Sequence, residues 1–199
     1  LLMASPYAHS SMKIKVTGQI PSSPYVGMTL EVMEKFGVRV QRKDFSDFFI
    51  SPSKYVGCEY IVEGDFSNSS YFMAVAAISG GKLDIENLNN NSKQADKVFV
   101  DILEKMGCEV SWYDKSLTLK GGELKGIDID MKKSPDIVPT LAVVSAFAKG
   151  PTKIYNIETL RFKETDRLSA VANELSKIGC KVEEGNDYLV ITPGKLNGA

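Results

Sequence analysis

The most regular feature of the chain is a helix-like apolar pattern that ends in glycine and passes into a strand-like pattern. It occurs three times, over residues 31–40, 101–110 and 173–182. In each copy apolar residues at helical spacing are followed by a Lys, an apolar residue and a Gly. Gly commonly follows a helix because it enters the left-handed conformation without a Cβ penalty. The next residues alternate between Val or Cys and a charged side chain, which predicts a strand buried on one face.

The spacing of these glycines indicates a repeated unit. Gly107 follows Gly37 by 70 residues (107 − 37), and Gly179 follows Gly107 by 72 (179 − 107). This period is too long for ordinary solenoid repeats and fits a unit of several strands and helices. The patterns predict a βαβαββ unit twice, and the second half of an earlier copy in residues 12–52. The predicted strands are 59–63, 82–87, 109–113, 116–120, 127–131, 152–157, 181–184 and 188–192, and the predicted helices are 67–78, 94–106, 136–149 and 164–178.

The distribution of apolar residues between helices and strands predicts which layer is buried. The first helix of each unit, within residues 71–78 and 137–148, is apolar almost all round, as is typical of a buried helix. The strands at 13–17 and 82–86 instead have one polar face. We therefore expect an α/β fold with helices inside and sheets outside, the reverse of a doubly wound fold.

Composition and charge narrow the possible partners. The 199 residues are 43% hydrophobic and 25% charged, with a formal net charge of −1, so no overall field attracts nucleic acid or an anionic membrane. The longest apolar run, residues 72–78, is far shorter than the roughly 20 residues of a membrane span. The three cysteines have no metal-type spacing, and we interpret them as small buried residues in a reducing compartment. The first residue is not Met, and the chain stops just after a predicted strand, which suggests a segment of a longer protein.

The most unusual string of charges precedes the last predicted helix. Residues 160–168 read Leu-Arg-Phe-Lys-Glu-Thr-Asp-Arg-Leu. Lys163 and Arg167 lie near the helix N-terminus, where unpaired N–H groups favour an anion. The string therefore predicts a site for a phosphate or carboxylate, with Glu164 among the cations. The alternative is a solvated first turn in which Thr165 caps the helix and Asp166 offsets its dipole.

Other helix entries are further candidates. Ser134, Pro135 and Asp136 open a predicted buried helix, so the Asp136 carboxylate would face the cleft that this helix end lines, or would only improve the helix electrostatics. Residues 65–70 occupy the equivalent place one unit earlier. The Ser-Ser-Pro-Tyr string of residues 22–25 predicts hydroxyls for a phosphate beside an aromatic ring, or an ordinary capped turn. The sequence contains no P-loop, dinucleotide fingerprint or GxSxG motif.

These strings together resemble the 5-enolpyruvylshikimate-3-phosphate synthase family. The resemblance rests on residues 22–25, 62–71, 134–136 and 161–168, continues through 174–179 and 182–185, and follows the family's order and spacing over all 199 residues. It implies an inside-out α/β barrel of six βαβαββ units in two domains, with the active site in the cleft between them. Residues 1–62 would close one domain, and residues 63–199 would supply two of the three units of the other.

The resemblance also implies an activity and the residues that perform it. Members transfer the enolpyruvyl group of phosphoenolpyruvate to the 5-hydroxyl of shikimate 3-phosphate, and they need no metal or organic cofactor. Asp136 resembles the carboxylate that takes the hydroxyl proton, and Glu164 the residue that protonates the methylene carbon and later removes a proton from it. Lys163 would touch both substrates, and Arg167 would bind the phosphoenolpyruvate anion.

On the shikimate side the resemblance implies weaker assignments. Ser22 resembles the hydroxyl that binds the shikimate phosphate, and Tyr25 a contact to the shikimate moiety. Thr159 stands where many members have an Asn that contacts this phosphate, and Ser23 where a basic residue is common.

Several expectations concern the whole protein. Other pocket residues of the family are missing from these 199 residues, so we expect the chain to be inactive alone. The full-length protein is expected to be a cytoplasmic monomer that binds neither nucleic acid nor membranes. Two alternatives stay open. One is a UDP-N-acetylglucosamine enolpyruvyl transferase, although the Lys-Glu-Thr-Asp-Arg string of residues 163–167 favours the shikimate enzyme. The other is a non-catalytic binding fragment whose charged residues are ordinary surface residues.

Overall fold

The structure is a computed structural model, and it describes residues 1–18, 20 and 23–198. Two units can be distinguished along the chain. One holds Leu1–Val62 together with Lys93–Ala95, and the other holds Glu63–Ser92 and the chain from Asp96 onward. Each unit is described separately below.

The first unit is a small antiparallel sheet with one helix among its described residues. Its strands are β1 (Met12–Lys15), β2 (Gln41–Lys43) and β3 (Asp47–Ile50), and its helix is α1 (Ser23–Lys35). The sheet has the order β1-β3-β2. Phe48 and Ile50 of β3 are buried and Phe49 between them is exposed, as the alternation of a half-buried strand requires.

The second unit, in its described part up to residue 198, contains two sheets and four α-helices, which follow one another in the order of the predicted repeat. The first set is α2 (Phe66–Ser79), β4 (Lys82–Glu86), α3 (Val98–Met106), β5 (Glu109–Tyr113) and β6 (Ser116–Lys120). The second set is β7 (Asp128–Asp130), α4 (Val138–Ser145), β8 (Thr152–Tyr155), α5 (Arg167–Lys177), β9 (Lys181–Glu184) and β10 (Tyr188–Thr192). The sheet orders are β4-β6-β5 and β7-β8-β10-β9. The pairings of these strands are antiparallel except that of β7 with β8.

Helices α2 and α4 of this unit pack against each other, and each contacts strands of one of the two sheets. Helix α2 packs against α4 and against β4 and β6, while α4 also contacts α5 and β10. The core that they share includes Met73, Ala77, Leu141 and Val144. Because α2 and α4 face each other and also contact the sheets, the predicted burial of these first helices is correct for the sides that pack together.

One side of α2 departs from the prediction that the first helices are buried all round. Tyr71, Phe72 and Val75 are each more than 60% exposed. The opposite side, with Met73 and Ala77, packs into the core. An apolar sequence all round indicates that a helix lacks a polar face, but it does not determine which faces have neighbours to cover them.

A predicted strand is also absent. Residues 59–63, all of which the structure describes, form no strand, although three consecutive apolar residues lie there between two glutamates. Tyr60, Ile61 and Val62 are exposed there. The equivalent strand of the second set, β7, pairs in parallel with β8. An apolar run becomes a strand only where a neighbouring strand supplies the hydrogen bonds.

The cysteines differ from one another in burial. Cys108 and Cys180 follow the equivalent glycines, are buried as expected, and have thiol pKa values raised by that burial. Cys58 was expected to be buried and is exposed. All three thiols are free. No helix in the described part of the chain has the length and apolar character needed to cross a bilayer.

The repeated glycines end their helices as predicted. Gly107 and Gly179 have φ angles of 117° and 105°, in the left-handed region. The next residue in each case donates its N–H to the helix, Cys108 to Leu103 at 2.9 Å and Cys180 to Leu175 at 3.0 Å. A Cβ on Gly107 would lie 2.5 Å from the backbone oxygen of Glu123. These glycines are therefore required both by backbone conformation and by close packing.

The substitution Gly107→Ala is expected to lower the free energy of unfolding by about 2 kcal/mol or more, because a Cβ is disfavoured at this φ and meets backbone atoms. The measurement is urea denaturation followed by circular dichroism. Gly57→Ala is the control, since Gly57 has no positive φ and a Cβ added there would meet no atom within 4 Å. Equal losses in the two variants would contradict the requirement for glycine at residue 107.

Candidate active site

The predicted Asp136 lies at the start of the second buried helix. A short 3-10 segment, Pro135–Ile137, leads directly into α4, so the helix begins later than the sequence pattern indicates. Pro135 and Ile137 are buried on either side of Asp136, while the Asp136 side chain is about one-third exposed (31%). The flanking apolar residues therefore fix the backbone, and the carboxylate is left at the edge of the core.

Two cations meet at this carboxylate. Lys163 Nζ lies 3.0 Å from Asp136 Oδ1, and Arg167 Nη1 lies 3.1 Å from the same oxygen. Arg167 also binds Glu164 with two parallel hydrogen bonds, from Nε to Oε1 at 2.8 Å and from Nη2 to Oε2 at 2.9 Å. The structure therefore brings together the four residues Asp136, Lys163, Glu164 and Arg167, which the resemblance selected from separate parts of the sequence.

The loop that carries Lys163 and Glu164 differs from its prediction. The helix expected from residue 164 begins at Arg167, and a 3-10 segment occupies Glu158–Phe162. Asp166 caps the helix by accepting the Ser169 N–H at 3.1 Å, so the alternative in which Thr165 is the cap is wrong. The apolar stripe could not locate this start, because a cap is decided by which side chain reaches the open N–H groups.

The hydrogen bonds of the site set its protonation. Arg167, by its hydrogen bonds and its charge, lowers the pKa of Glu164, with the Lys163 charge adding a smaller effect. Glu164 in turn raises the pKa of Arg167, as does Asp136. The pKa of Asp166 is lowered chiefly by the Ser169 N–H. In this structure Glu164 is thus held as a carboxylate, and both site cations have carboxylate partners.

Arg161 is a site-supporting residue to which the sequence assigned no role. It donates to Asp166 Oδ2 at 2.8 Å, to Glu184 Oε1 at 3.0 Å, and to the carbonyl oxygens of Gly185 at 2.6 Å and Asn186 at 2.9 Å. These bonds fasten both ends of the loop that contains Lys163 and Glu164 to the β9–β10 hairpin. The one sequence signal for this role was the position of Arg161 within the charged string of residues 160–168.

Asp96 is a second residue that the sequence reasoning missed. It lies in the 3-10 segment Ala95–Lys97 before α3, and only 2% of it is exposed. Ser67 of α2 donates its hydroxyl to Asp96 Oδ2 at 2.5 Å. Burial raises the pKa of this carboxyl, the Ser67 hydrogen bond lowers it, and the charges of Asp136, Asp65 and Lys163 also act on it. A lone Asp between an alanine and a lysine gives no sequence signal of burial.

The remaining predicted site residues are Ser22, Tyr25 and Thr159. Ser22 lies outside the described residues. Tyr25 belongs to α1 of the first unit and is 45% exposed. Thr159 lies half-buried in the 3-10 segment that precedes Lys163. The described residues contain no group of three or more His, Cys, Asp or Glu side chains arranged to hold a metal ion.

Comparison with known proteins identifies the family. The family model described as EPSP synthase (3-phosphoshikimate 1-carboxyvinyltransferase) matches residues 1–199. The chain belongs to the EPSP synthase family. The resemblance inferred from the charged strings is therefore confirmed.

Similar proteins of the family are about twice as long. The 3-phosphoshikimate 1-carboxyvinyltransferase of Vibrio atlanticus is 45% identical over 194 residues, which is 96% of this chain and 46% of that protein. The protein of the same name from a Sulfurovum species is 46% identical over 195 residues, covering 97% of this chain and 46% of its own length. The chain thus spans a little under half the length of these relatives.

Solved structures confirm the fold. EPSP synthase from Acinetobacter baumannii superposes with a TM-score of 0.79 at 24% identity, over 96% of this chain and 45% of that one. The enolpyruvyl transferase NikO from Streptomyces tendae superposes with a TM-score of 0.68 at 16% identity, over 96% of this chain and 45% of that one. The predicted inside-out α/β architecture is that of these proteins.

The substitution Arg161→Lys is expected to lower the free energy of unfolding by about 1–3 kcal/mol, because a lysine cannot satisfy four acceptors in a plane. Urea denaturation of the chain measures this change. Lys177→Gln serves as the control, since it removes an exposed ion pair with Glu174 on α5 and should cost about 0.5 kcal/mol or less. A loss at Arg161 no larger than the control loss would contradict its anchoring role.

Proposed function

We propose that this chain supplies catalytic residues of a 3-phosphoshikimate 1-carboxyvinyltransferase. The reaction joins the enolpyruvyl group of phosphoenolpyruvate to the 5-hydroxyl of shikimate 3-phosphate and releases phosphate. The observation that carries the proposal is the four-residue ion-pair network of Asp136, Lys163, Glu164 and Arg167. It places two carboxylates beside two cations, as a reaction between two anions with opposite proton transfers requires.

Asp136 is proposed as the general base. Its Oδ1 accepts a hydrogen bond from Arg167 and forms an ion pair with Lys163, so a substrate hydroxyl must replace or join these groups to come within hydrogen-bond reach. Asp136 then takes the hydroxyl proton while the oxygen bonds to C2 of phosphoenolpyruvate. The cations that leave Asp136 become available to the anionic groups of the substrates.

Glu164 is proposed as the group that delivers a proton to the methylene carbon, which completes the tetrahedral intermediate. It later removes a proton from the resulting methyl group as phosphate departs with the C–O bonding electrons. In the arrangement described above, Arg167 lowers the pKa of Glu164 and so disfavours the proton that this step needs. We infer that phosphoenolpyruvate draws Arg167 away from Glu164, which raises the tendency of Glu164 to hold a proton just when the substrate is bound.

Lys163 and Arg167 are proposed to bind the substrate anions. The planar guanidinium of Arg167 already makes a two-point contact with a carboxylate, and the phosphoenolpyruvate carboxylate offers the same geometry. Lys163 would contact both substrates. For the shikimate side, Ser22, Tyr25 and Thr159 stay as proposals from the resemblance, and so does the assignment of residues 1–62 and 63–199 to two domains.

We further propose that the whole protein is a cytoplasmic monomer. The free, buried thiols of Cys108 and Cys180 support a reducing compartment. Size-exclusion chromatography with light scattering measures the oligomeric state. We still expect the 199-residue chain alone to be inactive.

The proposal is tested with the protein expressed from its intact gene. Phosphate release should require both phosphoenolpyruvate and shikimate 3-phosphate. Release with UDP-N-acetylglucosamine in place of shikimate 3-phosphate would instead support the alternative transferase. Absence of release with either acceptor would support the non-catalytic alternative and overturn the proposal.

Substituting Glu164→Gln in that protein should reduce kcat by about 10²–10⁴-fold, because glutamine keeps the shape but cannot transfer a proton. Steady-state phosphate release measures the effect. Glu174→Gln on the exposed side of α5 is the matched control and should leave kcat unchanged. Turnover of the Glu164 variant equal to that of the control would remove Glu164 from the mechanism.

Substituting Arg167→Lys should raise the KM for phosphoenolpyruvate by about 10- to 100-fold, because the two-point contact is replaced by a single charge. The KM is measured at saturating shikimate 3-phosphate. Arg39→Lys, at an exposed ion pair with Glu34, is the control and should not change it. An unchanged KM in the Arg167 variant would show that another residue binds this anion.

A further inference from the structure

Asp96 is a buried acid for which neither the fold nor the proposed mechanism has a use. Its Oδ2 accepts the Ser67 hydroxyl, whereas its Oδ1 is buried and has no hydrogen-bond partner among the described residues. A buried carboxylate with an unpaired oxygen is costly to keep ionised, and protonation removes that cost. The protonation of the Asp96 carboxyl is therefore sensitive to the charges around it.

The charged groups around Asp96 are those of the candidate site and its neighbouring helix start. Asp136 precedes α4, Asp65 caps α2, and Lys163 lies before α5. Within the described part of the chain, Asp136 and Asp65 raise the pKa of Asp96 while Lys163 lowers it. Lys163 is also the side chain that the proposed function assigns to both substrate anions. An anion bound to Lys163 would therefore change the charge that acts on Asp96.

We propose that Asp96 takes up a proton from solvent when an anionic substrate binds at Lys163, and returns it to solvent when the anion leaves. The inference rests on the proposed function, because it needs an anion at this site. The step forms one O–H bond at the buried carboxyl and involves no other reactant. It removes a negative charge that acts on the site proposed to hold two anionic substrates.

The direction of this effect follows from charge alone. A bound anion offsets the positive charge of Lys163, which otherwise favours ionised Asp96, and adds negative charge nearby. Both changes raise the pKa of Asp96 further above its ordinary value. Once protonated, the carboxyl can itself donate to the Ser67 hydroxyl, so the existing hydrogen bond is kept with its direction reversed.

The test is calorimetric titration of the protein from its intact gene with shikimate 3-phosphate. Titrations in buffers of different ionisation enthalpy, from about pH 5 to about pH 8, give the number of protons bound with the ligand. The wild type should take up more protons than Asp96→Asn at some pH in this range. Asp101→Asn, an exposed carboxyl on α3, is the matched control and should retain the wild-type uptake.

Asp96→Asn should remain folded, because the amide oxygen can still accept the Ser67 hydroxyl and no charge is left buried. A second variant, Ser67→Ala, removes the hydrogen bond that lowers the pKa of Asp96. Its proton uptake should therefore be displaced to higher pH than in the wild type. This displacement tests the inference independently of any change in the Asp96 side chain.

The outcomes separate the inference from the proposed function. Binding with equal proton uptake in the wild type and Asp96→Asn at every pH would overturn the inference and leave the proposed function standing. A Ser67→Ala profile unchanged from the wild type would also contradict it. Failure of shikimate 3-phosphate to bind at all would overturn the proposed function, and the inference with it.

Discussion

Asp136 Oδ1 forms ion pairs with both Lys163 and Arg167, so a single carboxylate oxygen joins the segment before α4 to the segment that opens α5. Ion pairs at exposed positions contribute little to stability. Here, however, each of the three side chains is about one-third exposed or less, and both cations pair with the same carboxylate oxygen. The two cations and two carboxylates of the site thus balance one another's charge. Under the proposed function, substrate anions and hydroxyls would exchange with these internal pairs, and this exchange would link binding to the protonation of Glu164.

This charge cluster depends on apolar packing beneath it. Ile137 and Leu168 are buried next to Asp136 and Arg167, and each belongs to the core between the two sheets. Arg161 fastens the intervening loop to the β9–β10 hairpin from the other side. The burial that gives the helices their stability also desolvates Asp96, so the same core that orients the site raises the pKa of the acid behind it.

The repeat was predictable because its signals are local. At both Gly107 and Gly179 the chain takes the left-handed conformation directly after an amphipathic helix. The same local requirement therefore produces the same sequence pattern in each copy. The strand predicted at residues 59–63 was wrong because pairing depends on a neighbouring strand, which a short apolar run does not reveal. The start of α5 was wrong for a similar reason, since Asp166 rather than Thr165 reaches the open N–H of Ser169.

By itself, the sequence determined the order of elements, the inside-out burial of the helices and the family, because periodicity and the charged string are properties of neighbouring residues. Tertiary structure alone decided that Asp136 shares its cations with a loop about 30 residues away, that Arg161 anchors this loop, and that Asp96 is buried. These features depend on distances across the core and on the removal of water from particular atoms. Neither is encoded in the spacing of residues along the chain.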